Sequence, residues 1–405
     1  MRINSQVMKN NNVMLIINTI QQRAPISRTE LTRAVGLTTA SVINITNALI
    51  DAGILVQVGH ASNAAHGRKA VMLDVNAEAL YTIGVELNTE RITAGVCDFR
   101  GRFVGSVKEE ISSLDGVEPI LQKLETMVRR LVAEVGIAPE KILGLGLALP
   151  GPLDSQKGVM INPPNFPDWE NVPICRILQE RLHLPVCCDR ETNAAVLAEH
   201  FYGAAIGYKT AFFLSMFRLG IGGGMLSGGN VFHGFQDGAG EIGHTTVDPA
   251  GPQCICGSYG CLETMVSGAA LVQRAKQLYK MNFNFARKQE PDVETLTLED
   301  VFRLSQAGDE VCLHVVKQAA AYFSVALGNV INLYSPEVIV LGGPLAAMSP
   351  QLTELIAEHI RTKRYPRHCP EIKVVQSAFG DMAFAMGGVV LAMNAFLQDL
   401  IAGHL

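Results

Sequence analysis

One stretch constrains this chain more than any other: Asp237–Glu263, DGAGEIGHTTVDPAGPQCICGSYGCLE. His244 is followed at close range by Cys254, Cys256 and Cys261, and two carboxylates, Glu241 and Glu263, bracket the set. Three thiols and an imidazole in one short run form a ligand set for a tetrahedral zinc ion. Gly251, Gly257 and Gly260 allow the tight turns that bring three sulfurs round one centre. The alternative is three small buried cysteines and a satisfied core histidine. The other cysteines (Cys97, Cys175, Cys187, Cys188, Cys312, Cys369) are scattered with no comparable spacing, and that contrast favours the metal, one structural ion per chain.

A chain of 405 residues exceeds what one core organises, so two or three domains are expected. With 48% hydrophobic and 18% charged residues the composition is that of a compact globular protein. Asn and Gln interrupt the first N-terminal apolar stretch, which is therefore not read as a secretory leader. The apolar C-terminus carries Gly387, Gly388, Asn394 and Gln398 and is not read as a membrane span. The expectation is a cytoplasmic protein with no membrane insertion, its thiols reduced and free to bind metal.

The net charge of −5 argues by itself against nucleic acid, but the distribution argues the other way. Residues 1–78 hold seven Arg and Lys (Arg2, Lys9, Arg23, Arg28, Arg33, Arg68, Lys69) against four carboxylates (Glu30, Asp51, Asp74, Glu78), a net +3, which leaves −8 on the remainder. A basic end on an acidic body fits a division of labour.

In that basic end, Val13, Ile16, Ile17 and Ile20 recur at helical spacing within Met8–Gln22. Ser27-Arg-Thr-Glu30 has the form of a capping box that opens a second helix, ended by Gly36. Thr38 can cap a third helix to about Ala52, with Val42, Ile45 and Leu49 on one face. Two helices joined by the tight turn Val35–Thr38 read as a helix-turn-helix, with Thr39, Ser41, Asn44 and Asn47 on the third helix placed to reach DNA. Two apolar runs, Ile54–Val58 and Val71–Val75, flank a polar loop and make a wing.

Beyond residue 78 the strands Tyr81–Leu87, Ile92–Asp98 and Arg102–Val107 run through glycine turns. A like pattern returns at Ala211–Phe217, Gly220–Ser227 and Gly228–Phe232. Such a repeat suggests two related lobes with a cleft between them.

GEIGH at 240–244 followed by C-x-C-G-x-x-G-C-x-E at 254–263 resembles the signature of the ROK family, bacterial sugar kinases and sugar-responsive transcriptional repressors built on one fold. The resemblance implies a two-lobed α/β actin-like ATPase fold and a structural zinc. It also implies sugar contacts from Glu241, His244 and Glu263, with His244 bonding the metal through one ring nitrogen and the sugar through the other. His66–Ala70 resembles the basic Gly-Arg-Pro element of the family's repressors, which would place Arg68 and Lys69 at the minor groove, with Lys69 where proline is common.

Several family motifs are altered in this chain. The kinase phosphate loop G-x-D-x-G-G-T is here Gly84–Glu90, with Asn88 and Thr89 in place of glycines and Glu90 adding negative charge, so ATP is not expected to bind. Gly220–Gly224 keeps the glycines of the second phosphate loop, but Arg218-Leu219 replaces the Gly-Thr before them. Leu149–Asp154 matches the L/I-P-G-P-x-D turn. Asn165–Trp169 resembles an Asn-x-Pro-Gly-Trp sugar loop with Asp168 for glycine, its tryptophan either stacking on a sugar or anchoring the loop. Arg190 and Glu191 stand where kinases have the sugar-binding asparagine and the catalytic aspartate. Either the ligand is anionic or Arg190 points elsewhere.

These readings lead to a winged helix-turn-helix over 1–78, a first lobe over 79–198 completed by a C-terminal helix from 383 to 405, and a second lobe over 199–382 carrying the zinc loop. The expected function is a non-enzymatic, sugar-responsive repressor acting as a homodimer or higher homo-oligomer on a double-stranded DNA operator. A sugar or sugar phosphate bound between the lobes would release it. The alternatives are a sugar kinase with an appended DNA-binding domain and a repressor governed by a sugar-transport protein.

Overall fold

The computed structural model describes residues 5–60, 70–281, 292–361 and 371–404. Two compact units result: Met1–Ala194 together with Phe384–Leu405, and Ala195–Ala383.

The first unit opens with α1 (Ser5–Arg23), β1 (Ile26–Ser27), α2 (Arg28–Val35), α3 (Thr39–Asp51), β2 (Leu55–His60) and β3 (Val71–Val75). Val13, Ile16, Ile17 and Ile20 of α1 are buried, as their spacing requires. The capping box forms: the Ser27 N–H donates to Glu30 Oε2 at 2.9 Å and the Glu30 N–H to Ser27 Oγ at 3.3 Å. The serine bonds hold the Glu30 carboxyl below the usual range. Gly36, in the left-handed region at φ 68°, ends α2. On α3 the buried set is Val42, Thr46 and Leu49, with Thr46 taking the place that periodicity assigns to Ile45. Thr46 tolerates burial because its hydroxyl donates to the Val42 carbonyl at 2.8 Å. The three strands pair antiparallel in the order β1-β3-β2. The two-residue β1 is too short for any periodicity to announce it.

The rest of this unit contains β4 (Tyr81–Leu87), β5 (Arg91–Asp98), β6 (Phe103–Glu110), α4 (Val117–Val135), β7 (Ile142–Leu149), the small hairpin β8 (Leu153–Asp154) and β9 (Val159–Met160), α5 (Ile174–Leu182) and β10 (Val186–Arg190). The sheet order is β10-β7-β4-β5-β6, with β4, β5 and β6 antiparallel and β7 and β10 parallel to β4. α4 buries Ile120, Leu124, Val128 and Leu131 in this lobe's core.

The second unit comprises most of α6 (Glu191–Tyr202), then β11 (Ala211–Met216), β12 (Ile221–Ser227), β13 (Asn230–Val231), α7 (Leu262–Val266), α8 (Gly268–Lys280), α9 (Leu298–Gln306), α10 (Glu310–Tyr334), β14 (Val338–Gly342), α11 (Pro344–Met348), α12 (Pro350–Arg361) and β15 (Lys373–Gln376). Its sheet runs β13-β12-β11-β14-β15. In both sheets three consecutive antiparallel strands are followed by two parallel ones added at the first strand's side. That shared order is the duplicated lobe of the actin-like ATPase fold.

The last helix, α13 (Ala383–His404), returns to the first unit and lies on its sheet. Backbone meets backbone there. A Cβ on Gly84 would fall 1.9 Å from the Ala385 carbonyl oxygen, and one on Gly388 2.4 Å from that of Gly146. α10 and the stretch Gly380–Leu397 are long and apolar enough to cross a membrane, the second in spite of Gly387, Gly388 and Asn394. More than half of each is buried within the fold, 56% and 61%, which accounts for the apolarity as that of core helices.

The winged head is fastened to the turn between β5 and β6. Gln21 Nε2 donates to the Phe99 carbonyl at 2.8 Å and the Phe99 N–H donates to Ala77 O at 3.0 Å. Lys141 Nζ reaches Glu78 O at 3.1 Å, and Arg100 pairs with the buried Asp74.

Candidate metal centre, ligand residues and DNA-reading helix

The zinc-like run folds on itself through two isolated bridges, Thr246 with Cys261 and Gln253 with Tyr259. Gly260 is obligatory there, since its φ is +59° and a Cβ would lie 1.6 Å from the Asp248 carbonyl oxygen. A ring nitrogen of His244 and the sulfurs of Cys254, Cys256 and Cys261 all fall within 4.8 Å of one another, a group that can hold a metal ion. Cys254 Sγ stands 3.5 Å from His244 Nδ1, and Cys256 Sγ 3.6 Å from Cys261 Sγ. A tetrahedron with zinc-ligand arms has S–N and S–S edges of about 3.6 and about 3.8 Å, so the donor set fits that ion. Burial, with Cys256 and Cys254 adding to it, pushes the Cys261 thiol up to about 12; a bound dication removes that penalty by taking the thiolate.

The 3₁₀ turn Ile242–His244 packs against β12 and α7. Glu241 precedes this turn and is exposed, while His244 is half-buried. Glu263, in the first turn of α7, accepts the Ile221 N–H at 3.1 Å on Oε2. Glu241, His244 and Glu263 therefore belong to one folded region of the second unit.

Arg190 ends β10 in the first unit, 5% exposed, with its Cδ 3.1 Å from where a Cβ on Gly151 would lie. A side chain at 151 would require that stem to give by a few tenths of an ångström. Glu191 opens α6 and is half-buried. Trp169 is 1% exposed and meets the edge of Phe166 at a ring distance of 5.4 Å. Of its two sequence readings, that burial favours the anchor. Asp168 adopts φ 67°, the left-handed conformation for which glycine is the usual residue.

The first glycine-loop position is closed by its own side chain. Asn88 Oδ1 accepts the N–H groups of Glu90 at 3.0 Å and Arg91 at 2.9 Å, while its Nδ2 donates to Glu86 Oε1 at 2.9 Å. Backbone donors of the kind that cradle a phosphate are thus already in use. Separately, in the second unit, Arg218 pairs with Glu299 and approaches Met348 Sδ at 3.9 Å.

On α3, Thr39, Asn44 and Asn47 are exposed and Ser41 is half-buried, its hydroxyl 2.9 Å from the capping Thr38 Oγ1. Arg68 and Lys69 lie outside the described residues. Two residues on this face went unnoticed in the sequence. Arg28, at the start of α2, donates from Nε to Thr46 Oγ1 at 2.9 Å and from Nη2 to Asn47 Oδ1 at 2.7 Å. Ile43 is 39% exposed. A basic residue opening the helix before the recognition helix was the available signal for Arg28.

A winged DNA-binding head joined to a duplicated, glycine-looped lobe fold with a His-Cys₃ cluster defines a class, and the chain belongs to it: the ROK family, matched over residues 82–395, preceded by a winged helix-turn-helix DNA-binding domain matched over 9–56. Among its relatives is the xylose repressor of Caldicellulosiruptor bescii, 28% identical over 395 residues that make up 98% of each chain. A ROK family transcriptional regulator, a homologue of the E. coli MLC protein, superposes with a TM-score of 0.81 at 26% identity over 98% of both chains. The ROK hexokinase from Thermus thermophilus superposes at 0.65 with 34% identity, covering 79% of this chain and 100% of its own.

Proposed function

We propose that this chain is a cytoplasmic, sugar-responsive transcriptional repressor that binds no ATP and phosphorylates no sugar. The carrying observation is the pairing of a DNA-binding head with a kinase-type loop whose backbone donors are satisfied by Asn88. Phosphoryl transfer depends almost wholly on positioning and charge stabilisation. A loop closed in this way, with Glu90 adjoining it, supplies neither.

The head binds a two-fold operator as a homodimer or higher homo-oligomer, through α3 and the wing that carries Arg68 and Lys69. Zinc is the ion held by His244, Cys254, Cys256 and Cys261, and its part is structural: it presents Glu241, His244 and Glu263 to the hydroxyls of a sugar or sugar phosphate. Arg190 and Glu191 are further sugar ligands by their positions in the family's motif, where kinases carry asparagine and aspartate, and the cation at 190 suits an anionic effector. The effector lowers operator affinity by binding the operator-free conformation more tightly, a coupling of about 1–3 kcal/mol.

Gel-shift titration against a sugar and sugar-phosphate panel tests the reading. Glu241→Ala is expected to leave operator binding intact and to abolish release by the sugar. Release of the variant at the wild-type effector concentration refutes the ligand assignment. Sugar phosphorylation at about 1 s⁻¹ or faster overturns the repressor reading in favour of a kinase.

A further inference from the structure

From Thr39 to Asp51, α3 contains no Arg or Lys. Those are the side chains that most often read guanine in the major groove. Its outward stripe is Ala40, Ile43, Asn44, Asn47 and Asp51, opposite the buried Val42, Thr46 and Leu49. Thr39 and Ser41 fall on the two flanks of the stripe at helical spacing.

Within the stripe the two asparagines are not equivalent. Asn47 Oδ1 already accepts from Arg28, which takes one of its two lone pairs and fixes the amide's orientation toward that guanidinium. Asn44 bonds to no described residue, so its carbonyl and amino group are both available. Arg28 touches Thr46 and Asn47 and no carboxylate among the described residues, which leaves its positive charge uncompensated on this face. It belongs to the first helix of the pair, the one that crosses the sugar-phosphate backbone when the second lies in the groove. Ile43, a branched apolar side chain standing among polar ones, offers the surface that a thymine methyl meets.

We propose that Asn44 and Ile43 are the base-reading residues of α3, Asn44 on adenine and Ile43 on the thymine methyl of a neighbouring pair, and that Arg28, held by Thr46 and Asn47, clamps a backbone phosphate. Asn47 is then a positioning residue. The assignment rests on the chain being an operator-binding protein and adds which groups read sequence and which supply only affinity.

The test uses the full chain on a two-fold site selected from random duplexes, with uracil replacing thymine one position at a time to remove a single methyl. Wild type should lose about fourfold at one thymine in each half-site, and Ile43→Ala should be indifferent to the same replacement. Sites selected by Asn44→Ala should lose one adenine preference worth about tenfold. Arg28→Ala and Asn47→Ala should weaken all sites alike and flatten the plot of log affinity against log salt by about 0.9 per half-site. Tolerance of uracil at every position by wild type, or a methyl dependence that persists in Ile43→Ala, overturns the role of Ile43. An unchanged salt slope with an altered base preference in Arg28→Ala overturns the phosphate clamp. If wild type selects no site at all, the operator-binding reading fails and takes this one with it.

Discussion

Gly84→Ala tests the contact on which the first unit closes. The new Cβ would sit 1.9 Å from the Ala385 carbonyl oxygen and 2.5 Å from the Val389 nitrogen, whereas ordinary contact begins at 3.4 Å. Both obstacles are backbone of α13, so no rotamer change relieves them and the helix has to withdraw by about 1.5 Å. A radial gap of that order forfeits at least a quarter of the dispersion well of each contact. The buried face of α13 comprises Phe384, Ala385, Met386, Val389, Val390, Ala392, Met393 and Leu397, none more than 2% exposed. At roughly 2 kcal/mol for each buried side chain, the loss is about 3–4 kcal/mol. Urea unfolding followed by the fluorescence of Trp169, the single tryptophan and a core residue of the same unit, should show the midpoint falling by about 1.5 M. Gly105→Ala is the control, because its Cβ meets only the Val135 and Leu131 methyls, at 2.5 and 3.2 Å, which can turn aside. A Gly84→Ala midpoint no lower than that of Gly105→Ala refutes the argument.

Two further outcomes are expected. Cys256→Ser should take zinc from one per chain to well below stoichiometric and leave operator release insensitive to sugar; wild-type protein without stoichiometric zinc on metal analysis removes the basis for both. Glu199 is buried in α6 and accepts from Ser377 Oγ and the Ala378 N–H on Oε1 and from the Ala204 N–H on Oε2; burial nevertheless raises its carboxyl above 4.5. The native state thus holds that proton more tightly than the unfolded chain. Its contribution is full below the ordinary value and is lost as pH rises through the raised one. Glu199→Gln, with only one accepting oxygen, should lower the thermal midpoint, and the deficit should shrink as pH climbs from 4.5; a deficit that widens contradicts the raised value.

Features that depend on neighbours a few residues apart were legible. The capping box needs only Ser27 and Glu30, the hairpins only alternation and a glycine turn, and the His-Cys₃ cluster only one folded run. What depended on distant partners was not. β1 exists because Ile26 meets Leu73. The unread Arg28 reaches Thr46, the residue that burial places in the core where the helical pattern suggested Ile45. Asn88 was readable as a lost glycine, but its folding back onto the Glu90 and Arg91 N–H groups depends on the loop's three-dimensional course. By length and apolarity alone α10 and α13 pass for membrane helices, since lipid and a protein core favour the same side chains, and it is their burial within the fold that accounts for them.

The fastening of α1 to the β5–β6 turn sets where this protein can be cut and rejoined. A chimera that exchanges only residues 1–78 severs the side-chain ties of Gln21 to Phe99 and of Asp74 to Arg100, while the backbone carbonyls at 77 and 78 remain for the Phe99 N–H and Lys141. It would hold the incoming head to the β5–β6 turn by fewer contacts than the native one has. A sensor built from this scaffold should carry Asp98–Gly101 with the transplanted head, or rebuild Gln21 and Asp74 on the incoming one. Inheritance of a new operator specificity by point changes along α3 leaves that joint untouched and is the shorter route.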